Sequence, residues 1–262
     1  MSVVFQQLIN SVSVGGLYAL LAVGYALIYS VFDFTNFAFG GIMMVSAFAG
    51  YFSTQLGLGT IPAMLVAMVA GVTLSVAVEL LAYRPMRKRN AKRLFLMISA
   101  MGVNIFLTNL FLCVFGANLR SLPNAFPSAT IDIAGVQVGT VDIAAFVTSA
   151  IALAILSYFL YKTRPGITVR ASAIDMSTAG LMGINVNRVS LIVFVISGIT
   201  AAIAGMFFGM KYTVYPGMGA MSNKAFIASV IGGLGSLPGA VLGGFVLGLL
   251  ETLVAGYISA TY

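Results

Sequence analysis

Few side chains in this chain can do chemistry. Its 262 residues include no histidine, one cysteine and six acidic residues. That inventory argues against a zinc site and against the usual catalytic triads, which need imidazole, thiolate or paired carboxylates. Cys113 stands in the apolar run LFLCVF, where a thiol behaves as a small hydrophobe, and it has no intrachain disulfide partner. No segment has the GxxxxGK[ST] spacing whose backbone cradles nucleotide phosphates. Glu79, Asp142, Lys211 and Lys224 fall near the ends of apolar runs, where charge is tolerated, and Asp33 lies in FDFTN. Glu251 lies some way inside the last apolar run, where a carboxylate is a functional candidate by default. No series of runs carries the matched acidic groups of a proton relay. This counts against an ion-coupled transporter, although sodium sites can be built from carbonyls and hydroxyls.

The elements that hold these residues are apolar. Hydrophobic residues make up 60% of the chain and charged residues 7%, against about 25% charged in soluble domains. Such a chain cannot clothe a soluble surface, and its solvent is a lipid bilayer. Runs of about 20 apolar residues occur at Leu8–Ser30, Phe34–Leu56, Ile61–Tyr83, Leu94–Gly116, Val141–Tyr161, Val189–Met210 and Pro238–Ile258, with a shorter one at Ala225–Leu234. The expected fold is an all-α membrane protein. It is a polytopic helical bundle of about 7–8 spans with broken or re-entrant helices, forming one transmembrane domain over residues 1–262. The N-terminal MSVVFQQLINS lacks the basic region of a cleavable signal and is expected to be retained.

Placement of the thirteen basic residues orients the bundle. Six lie within 84–93 and four more (Lys162, Arg164, Arg170, Arg188) within 162–188. Two spans separate these loops, so both lie on one side, which the positive-inside rule makes cytoplasmic. Parity then puts the N-terminus outside. The net charge of +7 reflects this clustering and not nucleic-acid binding, because no basic groove interleaved with aromatics is present. The loop Ala117–Thr140 is external, and its TIDIAGVQVG suits a small hairpin around Ala134–Gly135.

Two places interrupt the helical pattern. FDFTNFAFGG is a poor continuous helix, and Ala225–Leu234, about half a bilayer long, ends in GGLGSLPG. Irregular backbone survives at membrane depth only where protein or a wet cavity satisfies it. Asn36, Gly40, Gly41, Gly232, Gly233 and Gly235 are therefore the candidate translocation-path residues. Small residues four apart (Ala201, Gly205, Gly209; Gly235, Gly239, Gly243; Gly244, Gly248) mark faces where backbones approach closely. Tyr18, Tyr25 and Tyr29 share one face of the first span.

The most polar stretch is RPGITVRASAIDMSTAGLMGINVNRV, residues 164–189. Pro165 suits a helix first turn. Ile167, Ala171, Ile174, Thr178 and Leu181 form one apolar stripe, and Gly183 can end the helix as a left-handed cap. The spacing predicts one amphipathic helix over about 166–183, lying on the membrane or docked in a partner's groove.

RASAIDMSTAGLMGINVNRV resembles the cytoplasmic coupling loop of ABC-transporter permeases of the branched-chain amino acid type. GGLYALLAVGYALIYSVFDFTNFAFGGIMM and KAFIASVIGGLGSLPGAVLGGFVLGLLE resemble that family's N-terminal and C-terminal signatures. The resemblance implies a permease subunit, itself no enzyme, of a bacterial importer in the inner membrane. Its cargo would be branched-chain or other apolar amino acids, or related small amides or peptides. Implied partners are a second homologous permease (the same chain or a related one), two ABC ATPase subunits, and a periplasmic or lipid-anchored binding protein. ATP and Mg would be bound by the ATPase subunits and no cofactor by this chain. Arg170, Ala173, Asp175, Ala179 and Gly183 would form the ATPase-coupling helix, with Arg170 and Asp175 fixing its register by charge pairing. Where many relatives are expected to carry histidine in an NFAHG-like block, this chain has Phe39 in NFAFG. The alternative is an ATPase-independent secondary transporter or channel for a small polar solute.

Overall fold

A computed structural model describes residues 2–89, 91–122, 130–133 and 136–257. The helices are α1 (Ser2–Phe32), α2 (Phe39–Gln55), α3 (Thr60–Val78), α4 (Arg84–Lys88), α5 (Arg93–Phe115), α6 (Thr140–Lys162), α7 (Arg164–Ile174), α8 (Met176–Leu181), α9 (Val186–Lys211), α10 (Met221–Ile231) and α11 (Leu237–Tyr257). A π-helical turn, Glu79–Tyr83, joins α3 to α4, and a 3-10 turn, Pro216–Ala220, precedes α10.

Among the described residues, six helical segments are long and apolar enough to cross a membrane. The 17-residue α2 and the 11-residue α10 fall short of that length and complete the expected set. The centre of the bundle is α1, 94% of whose apolar window is buried, with α9 at 72%. The corresponding windows of α3, α5, α6 and α11 are only 11–28% buried, so their apolar outer faces meet lipid or other protein.

The small-residue faces do what close approach requires. A Cβ on Gly244 would overlap the Ala19 backbone, and one on Gly248 would overlap Gly15, so α11 packs antiparallel on α1. Gly239 and Gly243 meet Gly232 and the Ala228 carbonyl of α10. Gly198 of α9 lies against Gly71 of α3, and Gly205 of α9 against the Met43 carbonyl of α2.

Ion pairs mark the two ends. At the basic end Arg93 holds Asp33 at 2.7 Å, and Gly235 rests on Ser30. At the other end Asp142 accepts from Ser13 at 2.9 Å and from Lys211 at 2.5 Å, while Arg120 and Val214 exchange backbone hydrogen bonds. The N-terminal half of α1 therefore lies away from the basic end, as parity requires. α9 finishes at that far end and α10 finishes at the basic end. The half-helix is thus the second part of one broken crossing, and α11 crosses back. Strands β1 (Thr130–Ile133) and β2 (Val136–Gly139) pair antiparallel, forming the expected hairpin; its turn, Ala134–Gly135, lies outside the described residues.

One expectation is corrected. The helix predicted over 166–183 is two helices meeting at Asp175, whose extended backbone (φ −155°) ends α7 and whose side chain caps α8. The apolar stripe keeps its spacing across the break, so periodicity alone could not reveal it. Gly183 is the left-handed cap expected, at φ +86°. Its N–H donates to Gly180 O and that of Ile184 to Ala179 O, the paired bonds of a Schellman ending.

Candidate functional site

The polar loop is anchored to the bundle by its first helix. Thr163 Oγ1 accepts from Gly166 N–H at 3.2 Å, and Pro165 occupies the first turn. Gly166 lies so close to the Phe159 and Leu160 backbone that any side chain there would overlap it. Arg170 Nε donates to Leu160 O at 3.0 Å, and its guanidinium stacks on Tyr161 at 4.9 Å. Gly166, Val169 and Ser172 face the bundle, and Ala179 of α8 is buried too.

Asp175 organises the second helix. Its Oδ1 accepts from the N–H groups of Ser177 (2.9 Å) and Thr178 (3.2 Å) and from Ser177 Oγ (2.6 Å), while Oδ2 accepts from Thr178 Oγ1 (2.6 Å). The side-chain bonds from Ser177 and Thr178, then the backbone ones, hold its carboxyl well below the usual carboxylate range. Arg170 and Asp175 are thus both engaged within the chain.

The apolar stripe points outward. Ile174 is 89% exposed, Leu181 88% and the adjacent Met182 81%. Beside them a cleft opens between Ser30, Asp33 and Arg93 on one side and Ala173 and Ser177 on the other. The five residues singled out for coupling therefore differ in setting. Ala173 borders the cleft, Ala179 is buried, Gly183 shapes the exit, and Arg170 and Asp175 fix the two helices. Met182 was missed, and its only sequence signal is its place beside the stripe.

The break between α1 and α2 is held by side chains. Asn36 is buried; its Oδ1 accepts from Tyr83 Oη at 2.6 Å and from Ala38 N–H at 3.1 Å, and its Nδ2 has no partner among the described residues. Gly40 abuts the Gly219 carbonyl and Ser222 at the start of α10, and Gly41 abuts Asn104 and Leu107 of α5. Tyr25 Oη donates to Ser222 Oγ at 3.1 Å, which donates in turn to Gly219 O at 2.8 Å. Phe39 is buried against Tyr25, with ring centroids 4.8 Å apart. The structure therefore joins Gly40 to the start of α10 and Asn36 to Tyr83 of the π turn, whereas Gly232, Gly233 and Gly235 form the turn from α10 into α11 at the basic end. Gly233 (φ +91°) and Gly235 (φ +88°) make that reversal.

Two ion pairs were not legible as pairs. Glu79 is buried in the π turn, bound bidentately by Arg87 and by Ser190 Oγ at 2.5 Å, and Arg87 stacks on Phe32 at 4.7 Å. Lys224 of α10 meets Glu251 of α11 at 2.6 Å.

A family model described as the permease component of branched-chain amino acid transport systems matches residues 7–262. The chain is 35% identical to the high-affinity branched-chain amino acid transport system permease protein BraD of Pseudomonas aeruginosa, and 35% identical to LivH of Escherichia coli K12. Each match spans 98% of this chain and 88% of the relative. The fold is shared with an inward-facing ABC transporter assigned to the metal-chelate type (TM-score 0.58, 16% identity, 98% of this chain and 78% of that one). It is also shared with PsaBC of Streptococcus pneumoniae (TM-score 0.54, 15% identity, 100% and 84%).

Proposed function

The chain belongs to the permease-component family of branched-chain amino acid transport systems, and from that membership we propose that it is the membrane-spanning subunit of an ABC importer. Its cargo is a branched-chain or other apolar amino acid, moved across the bacterial inner membrane by alternating access. The observation that carries this reading is the 35% identity to branched-chain amino acid permeases over 98% of the chain. The loops 84–93 and 162–188 face the cytoplasm. A second permease, two ATPase subunits and a binding protein complete the complex, and ATP with Mg is held by the ATPases.

The loop α7–α8 is the coupling element. Its exposed Ile174, Leu181 and Met182 give an ATPase groove apolar anchors. Its cleft faces Asp33 and Arg93 beside the break between α1 and α2, so a displacement of α7 that closes the cleft reaches that break. The path follows the irregular backbone at Asn36–Gly41 and along the α10–α11 hairpin to Gly232–Gly235, where free backbone groups can meet a zwitterion. Selectivity sits mainly in the binding protein.

The test is reconstitution of the complete complex in liposomes with measurement of ATP hydrolysis. Binding protein loaded with leucine, isoleucine or valine is expected to stimulate hydrolysis only when this chain is present. A chain that purifies from its own membranes without an ATPase, and transports without ATP, would instead be a secondary transporter or channel.

A further inference from the structure

Helices α6 and α11 each pack on α1 but scarcely on each other. Between them runs a groove floored by Val23 of α1 and walled by Leu153, Leu156 and Ser157 of α6 and by Val241 and Leu242 of α11. All of these but Ser157 are apolar. Leu242 is 67% exposed and Ser157 is exposed too, so the groove opens outward. Along α6 it runs from residue 153 to residue 161. At 1.5 Å per residue that is about 12 Å, most of the roughly 15 Å of hydrocarbon in one leaflet.

At the basic end the groove continues into a second cavity, because Leu160, Tyr161, Leu237 and Pro238 line both. This cavity is polar where the groove is not, bordered by Arg170 of α7, Ser30 of α1 and Ser236. Arg170 is fixed at the junction. Its Nε donates to Leu160 O and its guanidinium stacks on Tyr161. None of the four ion pairs among the described residues includes it, and the residue is exposed. Its Nη1 and Nη2 are therefore held in place with no counter-charge. Ser236 Oγ accepts from Gly239 N–H at 3.2 Å and keeps its own proton to donate. The lining of the cavity includes no carboxylate.

The two cavities together are apolar over most of a leaflet and cationic at the rim. A small aqueous ligand would leave the apolar groove unfilled. An apolar helix of another subunit would leave Arg170 without a counter-charge. A lipid answers both. We propose that the α6–α11 groove and the cavity at its basic end bind one anionic glycerophospholipid of the leaflet on that side. Arg170 Nη1 and Nη2 receive the phosphodiester in the forked geometry that suits guanidinium and phosphate, and Ser236 Oγ adds a donor. One acyl chain lies on α1 between α6 and α11. A zwitterionic headgroup fits less well, because its ammonium finds no carboxylate, and Lys162 and Arg164 stand at the same end. The bound lipid would bridge α7, α1 and the start of α11.

The test uses the full chain purified in detergent, with lipid adducts measured by native mass spectrometry as dioleoylphosphatidylglycerol or dioleoylphosphatidylcholine is added. The phosphatidylglycerol adduct is expected at about tenfold lower lipid concentration. Arg170→Gln is expected to abolish that preference. Arg170 also anchors α7, so a second variant leaves it in place. Ser157→Trp fills the groove from α6 and is expected to weaken the phosphatidylglycerol adduct at least about fivefold, with the lipid-free Tm near the parent's. Equal binding of the two lipids by the parent, or phosphatidylglycerol binding unchanged in either variant, overturns the proposal. Inorganic phosphate that displaces the adduct at similar concentration overturns it too, leaving a site for free phosphate. In membranes carrying the complete transporter, Ser157→Cys in a Cys113→Ser background is expected not to cross-link to another subunit. A cross-link would put protein in the groove and overturn the lipid. None of these measurements uses transport, so their failure leaves the permease reading standing.

Discussion

The Tyr83 hydroxyl donates to the Asn36 side-chain oxygen at 2.6 Å, tying the break between α1 and α2 to the π turn that ends α3. Both residues are buried, so neither has water to fall back on. Tyr83→Phe removes the donor and leaves Asn36 Oδ1 with the Ala38 N–H. The expected cost is about 1–3 kcal/mol, read as a lower Tm of the purified complex. Asn36→Leu should cost at least as much and also reduce uptake. Normal uptake by assembled Asn36→Leu and Gly233→Leu complexes would remove both residues from the path.

Asp175 is predicted to act as a cap and not as a charge partner. The Asn side-chain oxygen can keep the two backbone capping bonds that Oδ1 accepts, giving up only the Thr178 Oγ1 bond to Oδ2, whereas Ala accepts none. Asp175→Asn should therefore keep uptake near the parent, and Asp175→Ala should lower both uptake and ATPase co-purification. Loss of both in Asp175→Asn would show that the charge itself is needed. The hydrogen bonds depress the folded-state pKa of Asp175. Its stabilisation is present above the unfolded value, near 3.9, and is lost as pH falls through the depressed one. Uptake measured between about pH 5 and 8 should thus show no inflection from this residue.

The outward stripe predicts a separation of assembly from folding. Ile174, Leu181 and Met182 are almost fully exposed, so serine at all three should leave the Tm of the isolated chain almost unchanged. ATPase co-purification should fall at least about tenfold, in keeping with the weight that a few buried apolar anchors carry at interfaces. Unaltered co-purification would place the dock elsewhere.

Glu79 and Arg87 should behave as a unit. Glu79→Gln leaves Arg87 without its carboxylate at the membrane edge and is expected to cost about 3–5 kcal/mol. E79Q/R87M should recover most of that loss in thermal unfolding. A double variant as unstable as the single would mean that Ser190 or the π turn depends on the carboxylate itself.

Much of this architecture was legible because bilayer length and basic-residue placement are strong constraints. Seven of the eight apolar runs are spans or near-spans within a few residues, and the eighth is α10. The glycine faces were readable as packing because close approach admits no substitute. The single coupling helix was misread because Asp175 interrupts the backbone without disturbing the stripe. The only local clue was an Asp followed by Ser177 and Thr178, a capping composition. The Glu79–Arg87–Ser190 and Lys224–Glu251 pairs could not be read, because each joins residues whose meeting is decided by helix packing. Within the candidate path, Gly40 adjoins α10, but no local pattern indicated that Tyr83 would reach Asn36 from another helix.

Gly166 has a consequence for how force travels. Its missing side chain seats α7 directly on the Phe159–Leu160 backbone, and Arg170 adds a bond to the same turn. The joint is close-packed, so a torque applied to α7 would load α6, a continuous rod. That rod is 23 residues, about 35 Å, long, and its far end carries Asp142, clasped to Lys211 and Ser13. A pull at the basic end would then register at the opposite mouth as strain on a single carboxylate latch.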